Sequence, residues 1–494
     1  MSGIKVGAGG EAGGDALPEG WAWATVGDVL IAPIANGRSV RTEDGGFPVL
    51  RLTALRSDKV DLAERKEGEW TADEAAPFLV RANDFLICRG SGSLDLVGRG
   101  ALVPEAPDPV AFPDTMIRVR VPVEHMSPRF FTRLWASPLV REQIEAAART
   151  TAGIYKVSQP AVRELRIPVP PTAEQHRIAA ALDTRMARLD AVDRAVTSAR
   201  RDLAALRKAV LLDAVPEPEQ WPAHWTATTT GKAGTVELGR ARHPDWHTGP
   251  KVRPYLRVAN VFEDRIDSSD VKVMDFSGVF GKYRLEPGDI LLNEGQSPHL
   301  VGRPAMYRGI PEGVAFTNSL LRFRASGDVL PGWALLVFRR HLHAGRFMRE
   351  VRITTNLAHL SGARLKTVEF PVPPLDEQRH LVRTTKQRLA AFGRIERGLD
   401  RVARHNSAVR RALLSEAFSG RLVPQDPADE SAEELLKQIR MEREAAETER
   451  KAARTAARTG RKAKSDTIPP PPASADDTTL ADGEQTALPL EFNP

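Results

Sequence analysis

Cysteine is almost missing from this chain. Cys88 is the only one in 494 residues. A single thiol excludes an intramolecular disulfide and any cysteine-rich zinc site. Long apolar runs are missing as well. Trp333–Phe338 is typical of the longest, far short of the ~18–20 residues of a membrane span. The first sixteen residues are rich in Gly and Ala and lack the apolar stretch of a signal peptide, so a disordered lead-in and a cytoplasmic protein are expected. Neither sign of charge dominates. The net charge of +6, with Arg favoured over Lys, permits nucleic-acid binding without requiring it. Catalytic signatures are missing too. There is no Walker A sequence, HExxH or GxSxG elbow, no Asn-Pro-Pro-aromatic motif of amino-methyltransferases and no Gly-rich turn suited to S-adenosylmethionine. Glu64-Arg65-Lys66 is too degenerate to mark a nuclease. His243 and His247 flank Pro244, so no regular helix makes them a ligand pair. No catalytic residue and no metal site is expected.

What the chain does have is itself, twice. Pro168-Val169-Pro170-Pro171-Thr172-Ala173-Glu174-Gln175 returns 203 residues later as Pro371-Val372-Pro373-Pro374-Leu375-Asp376-Glu377-Gln378. Leu17–Trp21 resembles Trp221–Trp225, and Phe47–Leu52 resembles Arg253–Val258. Asn83–Ile87 resembles Gly288–Leu292, and Leu96-Val97-Gly98-Arg99 matches Leu300-Val301-Gly302-Arg303. Ala111, Phe112 and Arg118 match Ala315, Phe316 and Arg322. Colinear matches at offsets of 203 to 206 establish a tandem duplication. Within each half, β-branched runs broken by Gly and Pro predict strands at Phe47–Leu52, Asp84–Cys88, Thr115–Val121, Asp289–Leu292 and Ser319–Arg324. Helices are predicted over Pro128–Arg149 and Pro331–Val351, each with proline in its first turn.

Each PVPP segment opens a long helix. In the first, heptad a falls on Leu182, Leu189, Val196, Leu203 and Val210, and d on Ile178, Arg185, Val192, Ala199 and Leu206. In the second, a falls on Thr385, Phe392, Leu399, Asn406 and Leu413, and d on Leu381, Arg388, Ile395, Val402 and Val409. One frame kept over nearly five heptads predicts a coiled-coil seam. The two seams are expected to pair antiparallel, with a globular domain at each end of a rod of ~40 residues, about 60 Å long. Arg185 and Arg388 are expected to snorkel, and Asn406 is either a tolerated polar residue or a register pin. Thr172 and Gln175 have capping-box spacing, Glu174 suits the positive helix start, and Asp376 is the candidate cap of the second copy.

The fold class is therefore α+β: two tandem mixed domains, each with a small sheet, separated by two long helices in an antiparallel coiled coil. The expected boundaries are a disordered 1–16, a first domain 17–171, a helix 172–214, a second domain 215–374, a helix 375–423, a C-terminal helix 424–460 and a disordered charged tail 461–494. Arg450–Lys464 holds seven basic residues and no acidic one, whereas Ser465–Pro494 holds six acidic residues and no basic one.

Binding signals lie in loops that correspond between the halves. Arg suits bidentate guanine contacts, Asn and Gln suit adenine, and all can reach phosphate. The candidate DNA-binding residues in the first half are Arg51, Arg89, Ser91, Ser93, Arg99, Tyr155 and Lys156. In the second they are Arg257, Gln296, Ser297, Arg303, Asn356 and His359. The long helices add charge: Thr172–Ala214 carries eight basic against six acidic residues, and Leu375–Val423 eleven against five.

With these motifs on the page, the chain resembles the specificity subunit of type I restriction–modification systems over residues ~17 to ~440. The resemblance rests on the two Pro-Pro-x-x-Glu-Gln helix starts and the Leu-Pro-x-Gly-Trp opening at Leu17–Trp21. It rests also on the ending Ala417–Pro427 followed by Glu433-Glu434-Leu435-Leu436 and Ile439-Arg440. The opening is degraded in its second copy, Trp221–Trp225, and the charged tail is longer than the family leads one to expect. The resemblance implies that the chain catalyses nothing itself. It implies two target recognition domains that read an asymmetric, bipartite double-stranded DNA site, and spacer helices that set the gap and dock two methyltransferase subunits. It further implies restriction/translocase subunits. The methyltransferase subunits would use S-adenosylmethionine to methylate adenine, and the complex would use ATP and Mg2+; no cofactor is expected in this chain. A specificity protein of a type IIB or other phage-defence methyltransferase is the close variant. A two-domain scaffold and an unrecognised nuclease are the more distant ones.

Overall fold

The computed structural model describes residues 17–465 except 57, 106–107, 152 and 355–356. The expected lead-in 1–16 and most of the expected tail lie outside the described residues. The chain forms two compact units. One joins residues 1–185 to 411–494, and the other is 186–410.

Each unit contains the same small sheet. In the first, the antiparallel order is Ala35–Asn36, Met116–Val119, Phe85–Cys88, Gly100–Leu102. In the second it is Gly234–Leu238, Leu320–Ala325, Ile290–Asn293, Pro304–Met306. The duplication read from sequence is thus a duplication of topology. Against one face of each sheet packs a proline-initiated helix. The first domain uses Pro128–Trp135, whose Phe131 and Trp135 rings lie 5.2 and 5.4 Å from Phe85. The second uses Pro331–His343, whose Phe338 ring lies 5.0 Å from Phe323. The predicted helix Pro128–Arg149 is in fact two helices. Pro138 cannot continue the first, and Ser137 caps the second, Pro138–Ala147, by accepting from the Val140 N–H. Pro331–His343 stops short of the predicted Val351, at a turn with left-handed Gly345.

The two ends of each domain are zipped together. Ala22–Thr25 pairs antiparallel with Arg166–Val169, and Thr226–Thr229 with Glu369–Val372. The opening Trp and the helix-starting Glu then meet. The Trp21 indole N–H donates to Glu174 Oε2 at 2.9 Å, and the Trp225 N–H to Glu377 Oε1 at 3.0 Å. Burial raises the Glu174 carboxyl above its usual range, against the opposing pull of the Trp21 bond. His224 adds a 2.8 Å contact to Glu377.

The glutamine of the same motif does not make the expected capping box. Gln175 turns into the first domain. Its Oε1 accepts from the Ser127 N–H at 2.9 Å, and its Nε2 donates to the His125 and Pro170 carbonyls at 3.1 Å each. Gln378 repeats this with the Leu330 N–H and the Asp328 and Pro373 carbonyls. Ser127 and Leu330 are the N-cap residues of the two domain helices. Each glutamine therefore bolts the start of a long helix to the start of a domain helix. Thr172 instead donates its hydroxyl to the His125 carbonyl, and Asp376 is exposed and paired with Arg379 at 2.5 Å. Both glutamines are fully buried. Replacing Gln378 with alanine strands one N–H and two carbonyls, so a loss of about 2–4 kcal/mol is expected in urea unfolding. A loss below about 1 kcal/mol would show that water or rearrangement replaces the amide.

The long helices span Thr172–Ala214 and Leu375–Phe418. Within the second unit they run antiparallel. As the first helix advances through Asp190, Arg200, Arg207 and Asp213, its partners recede through Arg410, Asp400, Glu396 and Arg388 at 2.6–2.8 Å. Asn406 is buried and donates to the Leu189 carbonyl at 2.9 Å and to Asp193 at 2.6 Å, so it pins the register. Arg388 does not merely snorkel, since it closes the Asp213 pair. The predicted a row is inside, with Leu182, Val196, Leu203 and Val210 buried and Leu189, Phe392, Leu399 and Leu413 partly so.

The predicted d row is a correction. Val192, Leu206, Ile395 and Val402 are 37, 53, 51 and 45% exposed. Arg185 is exposed, Ala199, Leu381 and Val409 are half-buried, and only Ile178 of this row is buried. Charged residues flanking the a row take its place, with Asp193, Arg200 and Arg207 pairing across to Arg410, Asp400 and Glu396. Charged side chains reach across by their aliphatic stems, so the polar row faces the partner and the aliphatic row is left outside.

The second long helix ends before the expected Val423 because Gly420 adopts φ +72°. The Arg421 N–H returns to the Glu416 carbonyl and the Gly420 N–H to Ala417, a left-handed cap. A Cβ on Gly420 would also sit 2.1 Å from Pro18. The C-terminal helix runs Ala432–Ser465, later at both ends than 424–460. It is no separate module. Ala432 N–H donates to the Gly20 carbonyl, Arg177 pairs with Asp429 at 2.6 Å, and Arg443 donates to the Gly27 carbonyl. Phe418 packs edge-on to Phe130 at 5.5 Å. The chain's C-terminal part thus completes the first unit, just as Leu211, Ala214 and Val215 from the end of the first long helix join the core of the second.

Candidate nucleic-acid interface

The residues that repeat most clearly are committed to backbone. Asp84 and Asp289 are 2 and 1% exposed. Asp84 receives Arg120 Nε and Nη2 at 2.5 and 3.0 Å and caps the Arg81 N–H. Asp289 receives Arg324 at 2.7 and 2.8 Å and caps the Glu286 N–H. Arg118 and Arg322 lie 4.9 and 5.1 Å over the rings of Phe112 and Phe316 and donate to the carbonyls of Leu79 and Arg284. The Leu-Val-Gly-Arg repeat is a tight turn. Gly98 and Gly302 have φ near +72°, and a Cβ there would strike Ile144 or Phe347 at 2.4 Å. Its arginines are held as well. Arg99 donates to the Asp95 carbonyl at 2.8 Å; Arg303 donates to the Val261 carbonyl at 2.6 Å and stacks on Phe262. Burial lowers the Arg303 pKa.

The divergent loops behave differently. Gly90–Ser91 pairs with Ile154–Lys156, placing Tyr155 opposite Ser91 and Lys156 opposite Gly90, with Arg149–Thr151 as third strand. The second domain repeats this: Gly295–Gln296 pairs with Leu357–His359, and Arg352–Thr354 is the third strand. Two loops distant in sequence thus become one small sheet in each domain. On it Ser93 and Lys156 are exposed, and Ser91, Tyr155, Gln296, Ser297 and His359 are half-buried. His359 sits 3.3 Å from Glu294, and Gln296 accepts from the Ser297 N–H.

Other candidates lie apart from this sheet or are occupied. Arg89 donates to the Asp114 carbonyl, Arg257 is paired with Asp270, and Arg51 is exposed beside the Arg65 carbonyl. Asn356 lies outside the described residues. Sequence reasoning passed over one pair of segments. Arg38 and Arg41 in the first domain, and Arg242, His243, His247 and Lys251 in the second, stand exposed. The Gly-Arg pairs at 37–38 and 239–240, offset by 202 residues, were the available signal. Among the described residues no three His, Cys, Asp or Glu side chains gather as a metal site, and no helix is long and apolar enough to cross a membrane.

No family model matches the chain. It is 26% identical over 462 residues to the type I restriction enzyme EcoKI specificity subunit of Escherichia coli K12, covering 87% of this chain and 97% of that protein. It is equally identical over the same length to the StySPI specificity subunit of Salmonella potsdam, covering 86 and 96%. A solved chain, from work on complex assembly and conformational transition of the type I R-M system, shares the fold. Its TM-score is 0.64 at 21% identity, over 82% of this chain and 99% of that one. The chain is thus similar, over nearly the whole length of each of these relatives, to type I restriction enzyme specificity subunits.

Proposed function

We propose that this chain is the DNA-reading subunit of a type I restriction–modification complex, and that its target is bipartite and asymmetric. One observation carries the reading: a single scaffold is built twice, tied by the same residues to the same backbone groups, while the exposed and half-buried side chains on and beside its small three-stranded sheet differ. Ser91, Ser93, Tyr155 and Lys156 would face one half-site, and Gln296, Ser297 and His359 the other. The two sets differ in charge and hydrogen-bonding capacity, which supports different half-sites and a non-palindromic target. Arg38, Arg41, Arg242 and Lys251 would hold phosphates.

The chain itself is the non-catalytic member. Methyltransferase subunits would bring S-adenosylmethionine, and restriction/translocase subunits ATP and Mg2+; the complex would act on DNA in the cytoplasm. The exposed aliphatic row Val192, Leu206, Ile395 and Val402 supports docking of protein partners on the coil, because such a row is otherwise left in water. The test is genome-wide sequencing of methylated adenine with and without this gene. One gapped, asymmetric motif should vanish on deletion. Exchange of residues 226–372 for the same segment of another specificity subunit should change one half-site only. Loss of no motif, or a change in both halves, would overturn the proposal.

A further inference from the structure

The second long helix carries a row of arginines that the fold does not use. Arg394, Arg397, Arg401 and Arg404 are exposed, and none has a hydrogen-bond or ion-pair partner among the described residues. Their spacings of three, four and three residues place them on the face opposite the seam. Between Gln378 and Ser415 this helix has only two carboxylates, Glu396 and Asp400. Both are consumed across the coil, Glu396 by Arg207 at 2.6 Å and Asp400 by Arg200 at 2.7 Å. Arg410, by contrast, is neutralised by Asp190 and Asp193. The four outward arginines are left to repel one another at i,i+3 and i,i+4, which weakens an isolated helix. At the equivalent positions the first helix has Ala191, Arg194, Ser198 and Arg201, so the full row belongs to the second.

We infer that this row binds the phosphate backbone of duplex DNA between the two half-sites, without reading sequence. The inference rests on the function proposed above, taken together with the spacer role of the long helices that the family resemblance implies. Successive arginines rise by about 4.5–6 Å along the helix. They present a regular line of positive charge to a polyanion carrying one phosphate per ~3.4 Å of each strand. The guanidinium is well suited to bidentate contact with phosphate.

The test replaces all four with glutamine (R394Q/R397Q/R401Q/R404Q), which keeps helix propensity and removes the mutual repulsion. Affinity is measured by the chain in complex with its methyltransferase subunits, on duplexes carrying the motif found in vivo, from 50 to 200 mM salt. The slope of log K against log salt should become shallower by about 3–4, since each neutralised phosphate contributes ~0.9. Preference among half-sites should stay as it was. An unchanged slope in a natural complex that binds its bipartite site would overturn the inference and leave the functional proposal standing. Loss of the methyltransferase subunits from the variant complex, with no change in slope at matched stoichiometry, would assign the row to an acidic protein face and also overturn it. Failure of the natural complex to recognise any bipartite site would remove the functional reading, and this inference with it.

Discussion

Substituting Asp289 with alanine is expected to cost the second domain about 3–5 kcal/mol, as removal of one partner from a buried ion pair does. Two groups lose a partner and a third loses a nearby charge. Arg324 loses both bonds, at 2.7 and 2.8 Å, and the Glu286 N–H loses its cap. The side chain of Arg322, only 5% exposed and 3.8 Å from the carboxylate, loses its nearby charge. Asp84→Ala in the first domain should cost less. Arg120 and Arg324 can both turn toward water, but Arg118 has no contact with Asp84 of the kind that Arg322 makes with Asp289. Chemical unfolding of both variants reads the difference. Equal costs would mean that the buried second arginine contributes nothing; a cost below about 1 kcal/mol for Asp289→Ala would mean that the cluster relaxes without its carboxylate.

Insertion of seven residues into both long helices should abolish methylation at the natural motif and create it at a wider one. Arg200 and Asp400 face each other at 2.7 Å, so heptads inserted beside them would lie opposite one another and keep the seam in frame. Seven residues add about 10.5 Å of helix, which corresponds to about three base pairs. The half-sites should stay the same, because no residue of either recognition domain has moved. The same insertion in one helix alone shifts Asn406 away from the Leu189 carbonyl and unpairs the flanking charges, so complex formation should fail. Methylome sequencing in cells carrying each variant decides. An unchanged gap in the double insertion would mean that the coil does not set the spacing.

The two experiments probe different parts of one design. Repeated residues make the frame: the Asp–Arg pairs, the arginines over Phe112 and Phe316, and the Trp–Glu and Gln bonds at the helix starts. Each satisfies a buried polar group or charge, and either domain would lose stability without it. Unrepeated polar residues occupy the small sheets, Ser91, Tyr155 and Lys156 in one domain and Gln296 and His359 in the other, where they are exposed or half-buried. A protein that must acquire new targets without losing its fold can vary the second set while keeping the first.

The sequence alone determined the duplication, the helix start at Thr172, the long helices with their buried a row and the joint made by the PVPP segments. These are properties of local pattern: proline stops, heptad periodicity and matched offsets are written in consecutive residues. It also marked the loops 89–93 and 150–156, whose joining into one sheet needed no new residue to be found. Tertiary structure alone showed which equivalent residues are tied into the frame and which are left exposed or half-buried. Arg99, Arg303 and Arg257 look like binding residues in sequence, yet their guanidiniums are taken by the Asp95 and Val261 carbonyls and by Asp270. It decided which side of each long helix is inside, because the charged residues facing across the coil find opposite charges on a helix about 200 positions away. It also returned the C-terminal helix to the first domain, through Arg177–Asp429 and the Gly20 carbonyl. Whether a polar side chain is free depends on partners distant in the chain, and only the folded arrangement supplies them.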